Sequence, residues 1–348
     1  MRRNNKIRTI VISPSGSFYG SEQVLFNFLS NTTKSYKIYV PSNSIFYGKL
    51  QVLNKHKIVG FSTVCWLYLT LFWQFFSVPY KTLYINEGGH VKYAKLLAKL
   101  FKQIRIVVHI RILEDCNPSR LGQLPSNVLL IAISDYVSNQ LNNYPHYKIY
   151  DPLDTVPLQQ QKFNKDNSKF RIGIIGRVSE SKGLKYYDAF FEYIISNPFK
   201  LPIEFKFFGD IMEHEERAIT FYKQYQDTDL PILFKGFLNN QDELYAQLNM
   251  VLHLNPNEPL GRIGLESWAR GIPFVCFNLG GTGEINQLLG MGEYSISMEE
   301  CWKKSLKTSI EKIMNSTNIN DLNAAQAGLT KFFAVSRYVS DLERLFNF

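Results

Sequence analysis

Short apolar runs recur along the chain, separated by longer stretches in which apolar residues return with helical spacing. In the first half the runs fall at residues 7–12, 37–40, 83–85, 104–110 and 129–133. Helical patterns begin near Glu22 and cover 91–102 and 135–141. Strands that alternate with helices predict βαβ units and parallel sheets. Residues 151–168 break the rhythm with Pro152, Pro157 and the consecutive Gln159, Gln160 and Gln161, and read as a linker. A second series follows, with runs at 170–175, 203–208, 232–234, 251–254 and 273–277, and residues 332–348 read as an amphipathic terminal helix. The pattern predicts an α/β chain of two doubly wound domains, 1–155 and 169–331, joined by a linker at 156–168. A cleft between such domains is a place where ligands bind.

The 348 residues suit two domains, each with its own core. With 45% hydrophobic and 20% charged residues, the chain is neither disordered nor fibrous. Its net charge of +9 is unevenly placed: residues 1–160 carry 18 Lys+Arg against 7 Asp+Glu, and residues 161–348 carry 21 against 23. A basic half attracts phosphorylated ligands, anionic lipid or nucleic acid, but no nucleic-acid-binding motif accompanies it. Cys65, Cys116, Cys276 and Cys301 are scattered, which supports neither a disulfide framework nor a zinc site and favours a reducing compartment. The start, Met1 to Lys6, leads into an apolar run too short for a secretory signal. Residues 58–80 hold no charge, yet Ser62, Gln74, Ser77 and Pro79 interrupt them. They read as a buried or membrane-contacting helix, with a true span as the alternative.

Two constellations carry candidate chemistry. Gly176-Arg177-Val178-Ser179-Glu180-Ser181-Lys182-Gly183 follows the run at 170–175, so two cations stand at the carboxyl end of one parallel strand, a suitable clamp for a diphosphate. An ordinary strand-to-helix turn with solvated charges is the plain alternative. Asn257-Glu258-Pro259-Leu260-Gly261-Arg262-Ile263-Gly264-Leu265-Glu266 follows the run at 251–254. A helix starting near Arg262 presents free amides to an anion, with Glu258 on the loop and Glu266 one turn in. Two carboxylates beside an anion-binding helix start suit ligands rich in hydroxyls, as sugars are. A Gly-rich turn, Asn278-Leu279-Gly280-Gly281-Thr282-Gly283, comes after them and is weak by itself.

Together these segments, most densely from 170 to 284, resemble retaining glycosyltransferases of family 4, with the GT-B architecture of two Rossmann-like domains facing a central cleft. Gly-Arg-x4-Lys-Gly stands as Gly176, Arg177, Lys182 and Gly183, and Glu-x7-Glu as Glu258 and Glu266. The resemblance implies that Arg177 and Lys182 grip the donor diphosphate, that Glu258 lies against the donor sugar as a catalytic residue, and that Glu266 binds the ribose. It implies that the backbone of Gly261, Arg262 and Ile263 meets the phosphates. The family's Gly-Gly-x-Glu loop reads Tyr19-Gly20-Ser21-Glu22, which places Gly20 over the diphosphate and Tyr19 toward the acceptor. His109 matches a histidine near the family's reaction centre. Arg111 departs from the pattern and is read as a handle for a phosphorylated acceptor. Asp151-Pro152-Leu153-Asp154 stands in place of Asn-Gly-x-Asp. The helix at 332–348 resembles one that crosses back onto the first domain. Asp227-Thr228-Asp229 has the D-x-D form that binds a metal–nucleotide in a different architecture, but lies away from both constellations, so no obligatory metal is expected and no cofactor beyond a UDP- or GDP-sugar donor.

The expected activity is retaining transfer of a hexose or N-acetylhexosamine to a lipid-linked or polysaccharide acceptor, in capsule, O-antigen or exopolysaccharide synthesis. A nucleotide-sugar epimerase, a phosphorylase or a catalytically silent binding subunit of the same architecture is the alternative. Lys92, Lys95, Lys99 and Lys102 share a helical face, with Leu96, Leu97, Leu100 and Phe101 opposite or flanking. Such a helix covers a sheet or lies on an anionic bilayer. The protein is expected in the cytoplasm, and the second reading attaches it peripherally to the inner face of the plasma membrane.

Overall fold

The structure is a computed structural model that describes residues 8–153, 169–238, 240–315 and 319–346. The amino-terminal residues 1–7, the expected linker at 156–168, Asp154 and the last two residues of the expected terminal helix lie outside the described residues.

The chain divides into two compact units, Met1–Asp154 with Phe333–Phe348, and Thr155–Phe332. In the first unit the elements run β1 (Thr9–Ile12), α1 (Gly20–Asn31), β2 (Lys37–Pro41), α2 (Ile45–Leu50), β3 (Lys57–Phe61), α3 (Val64–Ser77), β4 (Thr82–Ile85), α4 (Val91–Leu100), β5 (Arg105–Ile110), α5 (Pro118–Leu121), β6 (Val128–Ala132), α6 (Asp135–Gln140) and β7 (His146–Lys148). All strands are parallel, in the order β3-β2-β1-β4-β5-β6-β7. The order reverses between β1 and β4, the switch point at which doubly wound sheets open a crevice. β1 and β4 are buried along their whole length, which is why they read as unbroken apolar runs.

The second unit repeats the plan: β8 (Phe170–Ile175), α7 (Leu184–Ser196), β9 (Ile203–Phe208), α8 (Glu216–Tyr225), β10 (Ile232–Phe234), α9 (Gln241–Ala246), β11 (Met250–His253), α10 (Arg262–Ala269), β12 (Phe274–Phe277), α11 (Gly280–Leu288), β13 (Ser295–Ile296), α12 (Trp302–Asn315) and α13 (Ile319–Phe333). Its parallel order is β10-β9-β8-β11-β12-β13, with the switch point between β8 and β11.

A last helix, α14 (Val335–Phe346), belongs to the first unit. Its Tyr338, Leu342, Leu345 and Phe346 join the core formed by Phe28, Tyr36, Tyr84 and Val107. Each such burial contributes about 1.5–3 kcal/mol. Thr82 Oγ1 donates to the Phe346 carbonyl at 3.0 Å, and Lys34 pairs with Glu343 at 3.0 Å.

The uncharged stretch forms α3, 14 residues long. Among the described residues no helix is long and apolar enough to cross a membrane. In α4 the expected division of faces is corrected. Val91, Ala94, Leu97 and Ala98 turn inward, whereas Leu96 and Leu100 share the outer face with Lys92 and Lys99.

Candidate functional site

In the second unit both predicted constellations stand at the switch point, one after β8 and one after β11. Gly176, with φ +131°, turns the chain out of β8. Arg177 comes next and is exposed. Ser179 caps the turn that follows, accepting from the Ser181 amide, and its Oγ donates to Glu215 at 2.8 Å. Gly183 closes that turn at φ +83°, and a Cβ there would meet the Leu254 carbonyl oxygen at 2.3 Å. Only glycine lets the β8 loop press against the end of β11.

That end is fixed from below. The Tyr187 hydroxyl, from α7, accepts from the Leu254 amide at 2.9 Å and donates to the Leu252 carbonyl at 3.3 Å. Asn255 then ties the two loops together, donating through Nδ2 to the Ser181 carbonyl and to Glu258 Oε2, both at 3.0 Å. Lys182 Nζ reaches Glu258 Oε2 at 2.9 Å and Oε1 at 3.3 Å. His253 Nε2, which is buried, sits 3.5 Å from the same Oε2 without a well-formed hydrogen bond. Burial by itself would raise the Glu258 carboxyl, but the His253 imidazole and the Lys182 ammonium outweigh it and hold the group well below the usual carboxylate range. Glu258 is therefore a fixed anion.

The helix after it begins as expected. Gly261, at φ +78°, precedes the eight-residue α10, and a Cβ would strike Thr282 Cγ2 at 2.3 Å. Arg262 and Ile263 open the first turn, where amides lack helical partners and attract anions. Glu266 lies one turn on, accepting from the Tyr245 hydroxyl at 3.3 Å, with Arg262 Nη2 at 3.6 Å. The Gly-rich turn supports the loop from behind: the Gly281 amide donates to the Glu258 carbonyl at 2.7 Å, and a Cβ on Gly281 would lie 2.4 Å from the Pro259 carbonyl. Asp227, Thr228 and Asp229 lie in an exposed turn between α8 and β10. Among the described residues no group of three or more His, Cys, Asp or Glu is placed to hold a metal ion.

The first unit has a second polar cluster at its own switch point. Gly20 opens α1, Tyr19 before it is 71% exposed, and the Tyr19 amide donates to Glu22 Oε2 at 3.0 Å. Ser21 Oγ bridges Glu22 and Glu87, at 3.1 and 2.8 Å. Burial, with the Glu22 charge adding to it against the Ser21 hydroxyl, raises the Glu87 carboxyl.

His109 and Arg111 differ from expectation. The His109 ring is completely buried. Its Nδ1 lies 2.8 Å from the Tyr84 hydroxyl and 3.3 Å from Arg111 Nη2, and it stacks near Tyr338 of α14. Arg111 can only donate, so Nδ1 accepts and the proton resides on Nε2. Burial first, and the Arg111 charge second, keep this imidazole neutral far below its usual pKa. Arg111 is buried too. It binds both carboxylate oxygens of Asp151, and it donates to the Asn86 carbonyl at 3.0 Å and to Asn86 Oδ1 at 3.1 Å. It is the counter-ion of Asp151 rather than an open handle for a phosphorylated acceptor, and His109 offers no face to a substrate. His253, Asn255 and Tyr245 were not legible as site residues; a histidine that ends a buried strand just before the Glu258 loop was the available signal.

Comparison with known proteins bears on the architecture. Residues 156–326 match the family model of glycosyl transferases group 1. The fold is GT-B. Alr3699/HepE of Anabaena, solved in complex with UDP, superposes with a TM-score of 0.76 at 16% identity, over 97% of this chain and 99% of that one. The same protein with UDP-glucose gives 0.73 at 16% identity, over 97% and 98%. Sucrose-phosphate synthase from Thermosynechococcus elongatus gives 0.71 at 13% identity, over 97% and 98%. In sequence, the capsular polysaccharide biosynthesis glycosyltransferase CapM of Staphylococcus aureus is 22% identical over 169 residues. That match spans 49% of this chain and 43% of CapM.

Proposed function

We propose that this GT-B protein is a glycosyltransferase that moves a hexose or N-acetylhexosamine from a UDP- or GDP-sugar to a lipid-linked or polysaccharide acceptor, with retention of configuration. The observation that carries the reading is the Lys182–Glu258 pair at the β8–β11 switch point, beside the first turn of α10. An ammonium, a helix start and a fixed carboxylate there match a diphosphate joined to a sugar. UDP and UDP-glucose in HepE support the donor class, and the likeness to CapM supports a surface glycan as product.

In this mechanism the diphosphate lies against the α10 amides of Gly261, Arg262 and Ile263 and draws the cations of Arg177 and Lys182. Glu266 accepts from the ribose hydroxyls. Glu258 holds the sugar hydroxyls and stabilises positive charge as the bond between the anomeric carbon and the leaving oxygen stretches. The acceptor oxygen forms the new bond on the same face. Its proton passes to the departing phosphate oxygen, so no protein base is needed. With two cations and a helix start on the diphosphate, the reading assigns no obligatory metal. It places the reaction in the cytoplasm, at the membrane that carries the acceptor.

A thermal-shift screen of nucleotide sugars identifies the donor, because a ligand that binds the native state raises the melting temperature by mass action. Turnover of the best binder, with the anomeric configuration of the product read by NMR, tests the chemistry. Stabilisation by no nucleoside diphosphate or its sugar would overturn the reading, and an inverted product would overturn retention.

A further inference from the structure

Among the described residues, the outer face of α3 and α4 has no partner. On α3, Trp66, Leu69, Trp73 and Phe76 are 42%, 58%, 69% and 68% exposed. Their spacing of i, i+3, i+7 and i+10 puts them in one stripe about 80° wide, at 100° per residue. Leu67, Leu71 and Phe75 occupy the opposite side and are buried. Tyr68 stacks on Tyr93 at 4.5 Å, and Phe72 and Phe76 meet Phe101 at 5.6 and 5.0 Å, so α3 lies along α4. Leu96 and Leu100, 58% and 55% exposed, extend the apolar surface, and the exposed Lys92, Lys99 and Lys102 border it. Exposed apolar side chains in such a cluster mark an interaction site rather than scatter.

Charge decides the partner. Between Glu22 and Glu114 the only acidic residue is Glu87, against 12 lysines and arginines. A protein partner would have to be acidic and apolar at once, whereas an anionic bilayer offers both properties over any area. Trp at the polar–apolar boundary with lysines beside it is the composition of an interfacial anchor. We propose that the α3–α4 face docks on an anionic phospholipid bilayer, with Leu69, Trp73 and Phe76 entering the headgroup–acyl boundary and Lys92, Lys99 and Lys102 meeting lipid phosphates. At 14 residues, about 21 Å, α3 is shorter than the roughly 30 Å hydrocarbon layer, so it lies on the membrane rather than through it. The proposal rests on exposure and charge in the first unit, independently of the proposed reaction.

The test is flotation of the full chain with phosphatidylcholine vesicles and with vesicles that also contain phosphatidylglycerol, at about 0.1 M and about 1 M salt. The expected result is flotation with the anionic vesicles, weakened by high salt. Trp73→Asp with Phe76→Asp should lower binding by about tenfold or more. Each of Lys92→Ala, Lys99→Ala and Lys102→Ala should lower it about fivefold. The melting temperature and UDP affinity of these variants should stay unchanged, since every altered side chain is exposed. Failure to float, equal flotation with both vesicle types, or undiminished binding by the Trp73/Phe76 variant would overturn the proposal. So would a wild-type dimer that the same variant dissolves, because a second copy would then be the occupant. A protein that floats yet binds neither UDP nor GDP leaves the membrane surface standing and removes the donor reading.

Discussion

Lys182 cannot serve Glu258 and a diphosphate equally, and that competition predicts opposite effects of two substitutions on UDP binding. In the structure the ammonium sits 2.9 and 3.3 Å from the two Glu258 oxygens. The side chains are 28% and 15% exposed, so solvent screens the pair only in part. A charge-assisted hydrogen bond contributes about 1.5–3 kcal/mol. At about 1.36 kcal/mol per tenfold, Lys182→Ala should weaken UDP binding about 10- to 150-fold. Glu258→Gln does the reverse. It removes the carboxylate that holds Lys182 and a negative charge beside the incoming phosphates, while Asn255 can still bond the amide oxygen. UDP affinity should then rise a few-fold although turnover collapses, because the proposed mechanism uses that anion to stabilise the transition state. In the double variant there is no ammonium to release, so affinity should stay below wild type and exceed that of Lys182→Ala only by the lost repulsion. Isothermal titration with UDP at fixed ionic strength reads all four proteins. Equal weakening by Glu258→Gln and Lys182→Ala would refute the competition and show that the carboxylate acts through the shape of the loop.

The depressed Glu258 carboxyl also has a pH signature. A group whose folded pKa lies below its unfolded value, about 4.3, contributes stability above that value and loses it as the pH falls through the range beneath it. Melting temperatures measured from neutral pH down into that range should therefore fall more steeply for wild type than for Glu258→Gln, and parallel curves would contradict the assignment. Two of the left-handed glycines, Gly183 and Gly290, should respond differently to alanine. Gly183→Ala drives a Cβ to 2.3 Å from the Leu254 carbonyl and should cost more than about 2 kcal/mol, whereas Gly290→Ala, with nothing within 4 Å, should cost about 1 kcal/mol by urea titration.

The legible strands are mostly those with a neighbour on both sides; the edge strand β10 was legible too, because Ile232, Leu233 and Phe234 are all apolar. β8, β9 and β10 have the predicted limits, and β1, β2, β4, β5, β6, β11 and β12 shift by a residue or two at their ends. The strands that went unread, β3, β7 and β13, are sheet edges. Lys57–Phe61 is only part buried and contains Gly60, His146–Lys148 is polar, and Ser295–Ile296 is two residues long. Edge strands carry a weak hydrophobic signal because one side faces water. In the site, the spacing that brings Lys182 to Glu258 was legible as a motif. His253 was not, because it stands inside an apolar run and reads as strand. Arg111 was misread because its neutralising partner, Asp151, lies 40 residues away, and no local pattern says whether a buried cation has been paired.

The two switch points show how one fold can build a closed cluster and an open one from similar groups. Each pairs a cation with a carboxylate beyond the carboxyl ends of strands: Arg111 after β5 and Asp151 after β7 in the first unit, Lys182 after β8 and Glu258 after β11 in the second. In the first unit, Arg111 and Asp151 are 8% and 5% exposed, and the guanidinium is further bound by Asn86 and lies 3.4 Å from the Tyr338 hydroxyl. Removing either partner would strand a buried charge, so the pair is locked by the cost of opening it. Tyr338 comes from α14, which makes that helix a wall of the cluster as well as part of the hydrophobic core. In the second unit the carboxylate is the better buried partner, and its hold is divided among Lys182, Asn255 and His253. Lys182 can leave without stripping the carboxylate of every contact, because Asn255 keeps its hydrogen bond and His253 Nε2 stays 3.5 Å away. A cation that is held, yet free to go, is what a site must keep ready for a phosphate that arrives and departs with every turnover. The sealed cluster fixes the carboxyl end of the first sheet; under the proposed function, the divided one leaves the carboxyl end of the second able to exchange its own counter-ion for a ligand.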